Sequence, residues 1–365
     1  MMRIAVVGWH GSVHIRRFAR FFADAGHEVH VVTCGGADAT DELTRTSARY
    51  EVHELGLPVL GRIGYVAKIP RARRLLRALR PDVVHVHTAT SYGMIAMASG
   101  LRPVVVTTHG SDIFVSTRYP VLRQIVRRTL SRADLVTAPA DHVRRAIEEL
   151  LGEGAPEILV LQYGVETDRL VSLGIEVREG REESATRRLV TARPLTPLYD
   201  TATIIRSLAL LPAEWRLDVA GDGPERSGLE ALVVELGIAD RVTFHGLVTG
   251  EAAIHRLIAS ADIYVSMARS DGVSIALLEA LALGTIPVLR DIPANRLWID
   301  DGVTGVVTSS SPAAVAGAVL RAAALDLEVA RRTSARLVRE RADRATNLGL
   351  LLGHFEDLLA ASQPA

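Results

Sequence analysis

Two carboxylates pose the chemical question in this sequence. Asp271 and Glu279 stand eight positions apart in Ser270-Asp-Gly-Val-Ser-Ile-Ala-Leu-Leu-Glu-Ala280, flanking a glycine turn and an apolar helix start. This spacing leaves Asp271 in a loop and puts Glu279 about two turns into the helix, on nearly the same face. A carboxylate in so apolar a run is costly unless it accepts specific hydrogen bonds. Vicinal ribose hydroxyls are natural donors for Glu279, and Asp271, beside the helix N-terminus, is suited to holding sugar hydroxyls near a reacting carbon. The plainer alternative is a capping aspartate with a partly exposed glutamate.

Further candidates follow runs of strand type. Arg193 comes directly after Leu189-Val-Thr-Ala192, where a fixed cation would meet a diphosphate. His109-Gly-Ser-Asp112 follows the apolar run 104–108, and a histidine beside a flexible glycine and an aspartate can orient a sugar hydroxyl or a leaving group. Gly8-Trp-His-Gly11-Ser12 separates a strand from a helix; its glycines permit close backbone approach, and the helix start offers N–H groups to an anion. It is not a G-x-G-x-x-G fingerprint, and a tight turn explains it equally well. Ala220-Gly-Asp-Gly-Pro224 reads first as a structural turn, with Pro224 near the first helical position. His85 and His87 alternate along a strand and read as packing residues.

The elements that must carry these residues alternate between short apolar strands and longer helical patterns. Strands are expected at 4–7, 29–33, 83–87, 104–108, 135–138 and 158–161, with helices at 14–25, 70–80 and 120–132. The rhythm breaks in the charged stretch 171–186, read as a linker. It restarts with strands at 189–192, 217–220, 242–244, 263–266 and 286–289, helices at 201–211, 225–236 and 275–283, and a final helix over 343–361. Such alternation implies an α/β fold with parallel, doubly wound sheets. The expected organisation is an N-terminal Rossmann-like domain over 1–170, the linker, a second Rossmann-like domain over 187–342, and a C-terminal helix over 343–365 that crosses back to the first domain. The two domains are expected to face each other across a cleft, with ligands beyond the carboxyl ends of the strands.

Composition narrows the function. The chain has 365 residues, 48% of them hydrophobic, 23% charged and only 4% aromatic, a diet suited to parallel strands covered on both faces. Its 42 basic and 42 acidic residues cancel, which removes the overall charge expected of a nucleic-acid binder. Cys34 is the single cysteine, so neither an intrachain disulfide nor a cysteine-rich metal cluster can form. The opening Met-Met-Arg-Ile-Ala-Val-Val-Gly lacks a signal-peptide pattern, and Glu279, Gly284 and Pro287 interrupt the longest apolar run, so a cytoplasmic location is expected. Lys68 is the only lysine; it opens a basic amphipathic stretch, 68–80, for which peripheral contact with an anionic membrane competes with a solvated helix face packed on the sheet.

The order and spacing of Arg193, Ala220-Gly-Asp-Gly-Pro224, Val242-Thr-Phe-His-Gly246, Asp271 to Glu279 and Asp300-Asp-Gly-Val-Thr-Gly305 resemble retaining GT-B glycosyltransferases of family 4 over most of 187–308. The N-terminal half resembles the family more loosely, through the glycine loop, Gly26-His-Glu-Val29, Arg80-Pro-Asp-Val-Val84, the His109 loop and the hinge-like Val160-Leu-Gln-Tyr-Gly-Val165. The resemblance implies a metal-independent transfer from a nucleotide-diphosphate sugar, with His109, Arg193 and Asp271 in the catalytic centre. It further implies Gly11, Arg193, Tyr199, Gly272, Val273, Ser274 and Glu279 at the donor, and His245, Gly246 and Leu247 near the base. Gly11, Ser12, His109 and Asp112 would stand on the acceptor side. No metal or cofactor is expected; base, sugar, acceptor and oligomeric state stay open.

Two departures stand out. Asp271 replaces the family's first glutamate, and the lysine that usually follows the arginine by about five residues is missing from Pro194-Leu-Thr-Pro-Leu-Tyr-Asp200. Tyr199 is the expected substitute. The missing lysine also motivates a rival reading, a non-catalytic nucleotide-sugar-binding protein or inactive partner subunit. A nucleotide-sugar epimerase on the same fold is the rival within enzymes.

Overall fold

A computed structural model describes residues 1–35, 50–56, 64–180 and 186–362. The chain divides into two compact units, residues 1–163 with 345–365, and residues 164–344. Among the described residues the first unit holds strands β1 (Arg3–Val7), β2 (Glu28–Thr33), β3 (Glu51–Glu54), β4 (Val83–His87), β5 (Val104–Thr107), β6 (Leu135–Ala138) and β7 (Ile158–Val160). They form a parallel sheet in the order β3-β2-β1-β4-β5-β6-β7. The second unit holds β8 (Arg187–Ala192), β9 (Trp215–Ala220), β10 (Val242–Gly246), β11 (Ile263–Ser266), β12 (Ile286–Arg290) and β13 (Val306–Thr308). These are also parallel, in the order β10-β9-β8-β11-β12-β13.

The parallel pairing follows from the sequence pattern. The strands β4, β5 and β11 are valine- and isoleucine-rich and buried along their length, which suits a sheet covered on both faces. Strand order reverses between β1 and β4, and again between β8 and β11. Open α/β sheets bind ligands beyond the carboxyl ends of their strands at such a reversal. In the first unit the loops there begin at Gly8 and Thr88; in the second they begin at Arg193 and Met267. Thr88 has φ 75°, a backbone state that a β-branched residue holds at a cost of about 1–3 kcal/mol.

Two expectations change. The stretch 171–186 is not an open linker: 171–179 continue the helix Thr167–Glu179. Leu170, Leu173, Gly174 and Val177 face the core of the second unit at helical spacing, and Gly174 rests against the backbone of Leu283. A glycine within the stripe and charges on the other face hid that period; residues 181–185 lie outside the described ones. Pro224 precedes the N-cap Glu225 of the helix Arg226–Glu235 and is not its first residue. In the basic stretch, the helix Gly64–Leu79 packs Ile69, Leu75, Leu76 and Leu79 on the first unit's core. This is the packing on the sheet that the sequence offered as the alternative to peripheral membrane contact.

The closing helix Arg344–Ser362 belongs with the first unit, where Phe355 meets Phe22 and His85 at ring distances of 5.6 and 5.5 Å. Among the described residues no helix is long and apolar enough to cross a membrane.

Candidate active site

Arg193 leaves the end of β8 and its side chain is almost fully enclosed. Its Nη1 donates to Ser274 Oγ at 2.5 Å and its Nη2 to Asp271 Oδ2 at 2.6 Å. The guanidinium lies over the Tyr199 ring, 4.2 Å from the centroid. Burial works against its charge, but Asp271 foremost, then Tyr264 and Tyr199, outweigh that penalty and hold its pKa above the ordinary arginine value. The buried Nε makes no hydrogen bond among the described residues. The loop is braced from behind: a Cβ on Gly221 or Gly223 would run into the carbonyl oxygens of Arg193 and Leu195. Leu195 N donates to Asp222 O at 2.9 Å, completing the brace. The glycines of the 220–224 turn thus have a structural role that serves the arginine.

Ser274 is the N-cap of the helix Ile275–Leu283; its Oγ accepts from Leu277 N at 3.3 Å while also receiving Arg193. The basic side chain, the carboxylate and the helix start therefore meet in one place. Gly272 and Val273 form the loop between them, with Val273 packed on the core. Glu279 is the fifth residue of this helix, so it lies little more than one turn in, not two. It is buried, and its Oε1 is 3.3 Å from His255 Nε2 on the helix Glu251–Ala259. The other ring nitrogen of His255 faces Arg169 at 3.3 Å. Sequence reasoning missed His255, because a histidine within an alanine- and isoleucine-rich helix carries no local sign of its partner.

A second cationic group stands at the same sheet edge. Asp200, the αL residue before the helix Thr201–Leu208, has Oδ2 3.5 Å from Arg269 and 3.6 Å from Arg290. Arg269 N also donates to Leu198 O at 2.9 Å, tying the β11 loop to the β8 loop. Arginines therefore surround the place where the family's lysine is missing. On the far side of the sheet order, His245 lies at a bulge in β10 and its Nε2 is 2.7 Å from Asp218 Oδ1. Gly246 follows with φ 67°, and Leu247 is exposed.

In the first unit, His109 sits just beyond β5, with its ring 5.5, 5.4 and 5.2 Å from those of His14, His87 and Tyr163. Its Nε2 is 3.2 Å from His87 Nδ1. His87, expected to be a packing residue only, therefore also holds the His109 ring. Burial drives the pKa values of both histidines down, that of His87 well below its ordinary value, so both are neutral near pH 7. Asp112 is buried and clamps two loops: Oδ1 accepts from His109 N at 3.0 Å and Oδ2 from Ala89 N at 2.9 Å. Both carboxylate oxygens thus hold backbone and shape the two loops. Gly11 O accepts from Arg16 Nη1 at 2.9 Å, and Ser12 caps the helix Val13–Asp24 without a side-chain bond. Tyr163, whose hydroxyl donates to Thr108 O, was not anticipated either.

Two parallel-sheet α/β units of this topology, with arginine-rich chemistry at the carboxyl edge of the second, define a GT-B glycosyltransferase. The pattern for Glycosyltransferase Family 4 matches residues 11–169, and that for Glycosyl transferases group 1 matches residues 190–324. The chain belongs to glycosyltransferase family 4 and is an enzyme of nucleotide-sugar transfer. A GDP-mannose:cellobiosyl-diphosphopolyprenol alpha-mannosyltransferase of Xanthomonas oryzae pv. oryzae is 29% identical over 92% of this chain and 90% of its own. An N-acetyl-alpha-D-glucosaminyl L-malate synthase of Bacillus anthracis is 25% identical over 78% and 76%. Among solved structures, Anabaena Alr3699/HepE in complex with UDP and glucose matches with TM-score 0.79 at 17% identity, over 98% of this chain and 100% of that one. Sucrose-phosphate synthase from Thermosynechococcus elongatus matches with TM-score 0.84 at 16% identity, over 99% and 100%. These two structures share the fold.

Proposed function

We propose that the protein transfers a hexose from a nucleoside-diphosphate sugar with retention of anomeric configuration and without a metal ion. The observation that carries this reading is Arg193, a buried permanent cation aimed by Asp271 and Ser274 at the start of a helix. A diphosphate leaving group needs fixed positive charge in place before the bond breaks, and a braced guanidinium beside a helix N-terminus supplies it. In this reading the acceptor attacks from the face the diphosphate leaves, and the diphosphate takes up the acceptor proton. Glu279 holds ribose, Asp271 holds donor-sugar hydroxyls, and neutral His109 faces donor sugar and acceptor.

GDP-mannose is the first donor to test, since that donor is named for the Xanthomonas relative. The acceptors named for the relatives range from a diphosphopolyprenol-linked disaccharide to a small hydroxy acid, so the acceptor class is open. The test is a donor screen by slow hydrolysis and by transfer, with exhaustive EDTA in one arm and product anomers assigned by NMR. Retained turnover in EDTA and an unchanged anomeric configuration are expected. Turnover lost to EDTA and restored by a divalent ion would refute the leaving-group chemistry; an inverted product would refute retention.

A further inference from the structure

We propose that the first unit carries a transition-metal site of zinc type, formed by His30 Nδ1, His53 Nε2 and Glu51 Oε2 on the neighbouring strands β2 and β3. Parallel pairing sets His30 beside Glu51 and Val32 beside His53, so all three side chains project from one face. The three donor atoms form a closed triangle with sides of 3.1 Å (His30 to His53), 3.3 Å (His30 to Glu51) and 3.6 Å (His53 to Glu51). Bonds of about 2.0–2.1 Å to a tetrahedral ion place neighbouring ligands roughly 3.3–3.4 Å apart. The triangle is therefore one face of such a tetrahedron, and a water would complete it as fourth ligand.

The surrounding bonds fit the same chemistry. His30 Nε2 is 3.0 Å from Glu28 Oε1, and Glu28 is anchored in turn by Arg3 Nε at 2.8 Å. An ionised carboxylate only accepts, so Nε2 is the ring nitrogen that donates to Glu28, and Nδ1 is the one turned to an ion. Nδ1 faces both other donor atoms of the triangle, the Glu51 carboxylate and the His53 ring. His30 is buried while Glu51 is exposed, which gives an ion a rigid inner ligand and an entry path.

The site has a structural task distinct from sugar transfer. β3 is a four-residue strand at the edge of the sheet, with exposed or half-exposed side chains throughout, so little apolar burial fastens it. A metal clip between β2 and β3 supplies that fastening. His30 and Glu51 are level with Ala5, in mid-sheet, whereas the Gly8 loop begins only after Val7. The clip is thus compatible with a reaction that needs no metal.

The experiment uses tag-free, full-length protein stripped with EDTA and desalted. Zn²⁺ is titrated against a chromogenic chelator, and thermal unfolding is followed with and without the metal. One equivalent should bind and raise the Tm. Glu51→Gln and His53→Ala, both at accessible positions, should each weaken binding at least tenfold, and Glu28→Gln by roughly 10–100-fold as an outer-shell loss. Turnover of the stripped protein should equal that of the loaded one. Zinc binding absent, or unchanged by Glu51→Gln and His53→Ala, would overturn the proposal and leave an imidazole–carboxylate hydrogen-bond cluster only. Zinc-dependent turnover with normal zinc affinity would instead count against the metal-free transfer reading.

Discussion

Arg193 and Asp271 meet through one 2.6 Å ion pair across 78 residues of chain. The pair joins the loop after β8 to the loop after β11, the two strands between which the sheet order reverses. A salt bridge this enclosed is not chiefly a stabilising device, because desolvation of both charges offsets most of the attraction. Its use is aim: Asp271 fixes one edge of the guanidinium and Ser274 another.

The first prediction follows from that aim. Arg193→Ala should lower kcat by roughly two to three orders of magnitude, the usual cost of losing a principal charge-stabilising donor. Tyr199→Phe should cost far less, since the ring that lies under the guanidinium remains. Steady-state kinetics with the donor found in the screen measures both. Near-wild-type turnover by Arg193→Ala would move the diphosphate elsewhere.

Glu279 has two competing explanations, and one substitution separates them. If it holds ribose, Glu279→Gln should cost about 1.5–3 kcal/mol of donor affinity, as for a charge-assisted hydrogen bond. If it serves only as partner to His255, the same change should lower the Tm and leave affinity alone. Calorimetric donor binding beside thermal unfolding distinguishes the outcomes. Unchanged affinity removes Glu279 from the site.

Much of the second unit could be read in advance, because its chemistry sits where local pattern is informative. The helix Ile275–Leu283 and the strand Ile263–Ser266 appear at the expected residues, and Arg193, Asp271 and Ser274 converge. What escaped was long-range or weakly patterned. β3 is only Glu-Val-His-Glu, with one apolar residue to mark it, and β13 is three residues long. The His87–His109 contact joins adjacent strands 22 residues apart, and alternation alone cannot say which ring lies beyond the sheet edge. His255 and Asp200 find their partners only through the fold: the first lies on a different helix from Glu279, the second reaches arginines on two other strand ends.

Acid should destabilise the first unit before any carboxylate titrates. His85, fully buried between Phe18, Phe22 and Phe355, has its pKa pushed down to about 3 by burial, and His87 and His109 are lowered by the same cause. An unfolded histidine takes up a proton near pH 6.5 that these folded ones refuse, so the unfolded state binds more protons below that pH. Stability is therefore full above about pH 6.5 and falls as pH drops toward the folded values, by up to about 1.4 kcal/mol per pH unit for each histidine. Urea midpoints at pH 7.5 and 5.0 should differ, with a smaller difference for His85→Gln. Equal midpoints would show that these rings are protonated or solvated in the folded state.

The last prediction concerns how the site manages without a lysine. Arg269 and Arg290 share the Asp200 carboxylate at 3.5 and 3.6 Å, and Asp200 is itself fixed by Thr203 Oγ1 at 3.0 Å. The left-handed backbone of Asp200, φ 50°, turns the chain so that this carboxylate can meet both cations. One aspartate cannot neutralise two arginines, so a net positive charge remains beside the Arg193 loop. If that charge carries the missing lysine's share, Arg290→Ala should lower kcat by about ten- to a hundredfold, the equivalent of one charge-assisted bond. Asp200→Asn should leave both arginines charged but loosen their placement, so it should raise KM for the donor more than it lowers kcat. The family's arrangement can then be rebuilt at the neighbouring position: Leu198 is partly exposed, whereas the Tyr199 ring is already occupied by Arg193. Leu198→Lys should therefore recover part of the activity lost in Arg290→Ala, and Tyr199→Lys should recover less because it removes the surface on which Arg193 rests. Kinetics on the single and double variants would settle the division of labour. Wild-type kcat in Arg290→Ala and in Arg269→Ala would leave Arg193 as the sole cation on the diphosphate and reduce the Asp200 cluster to a surface brace.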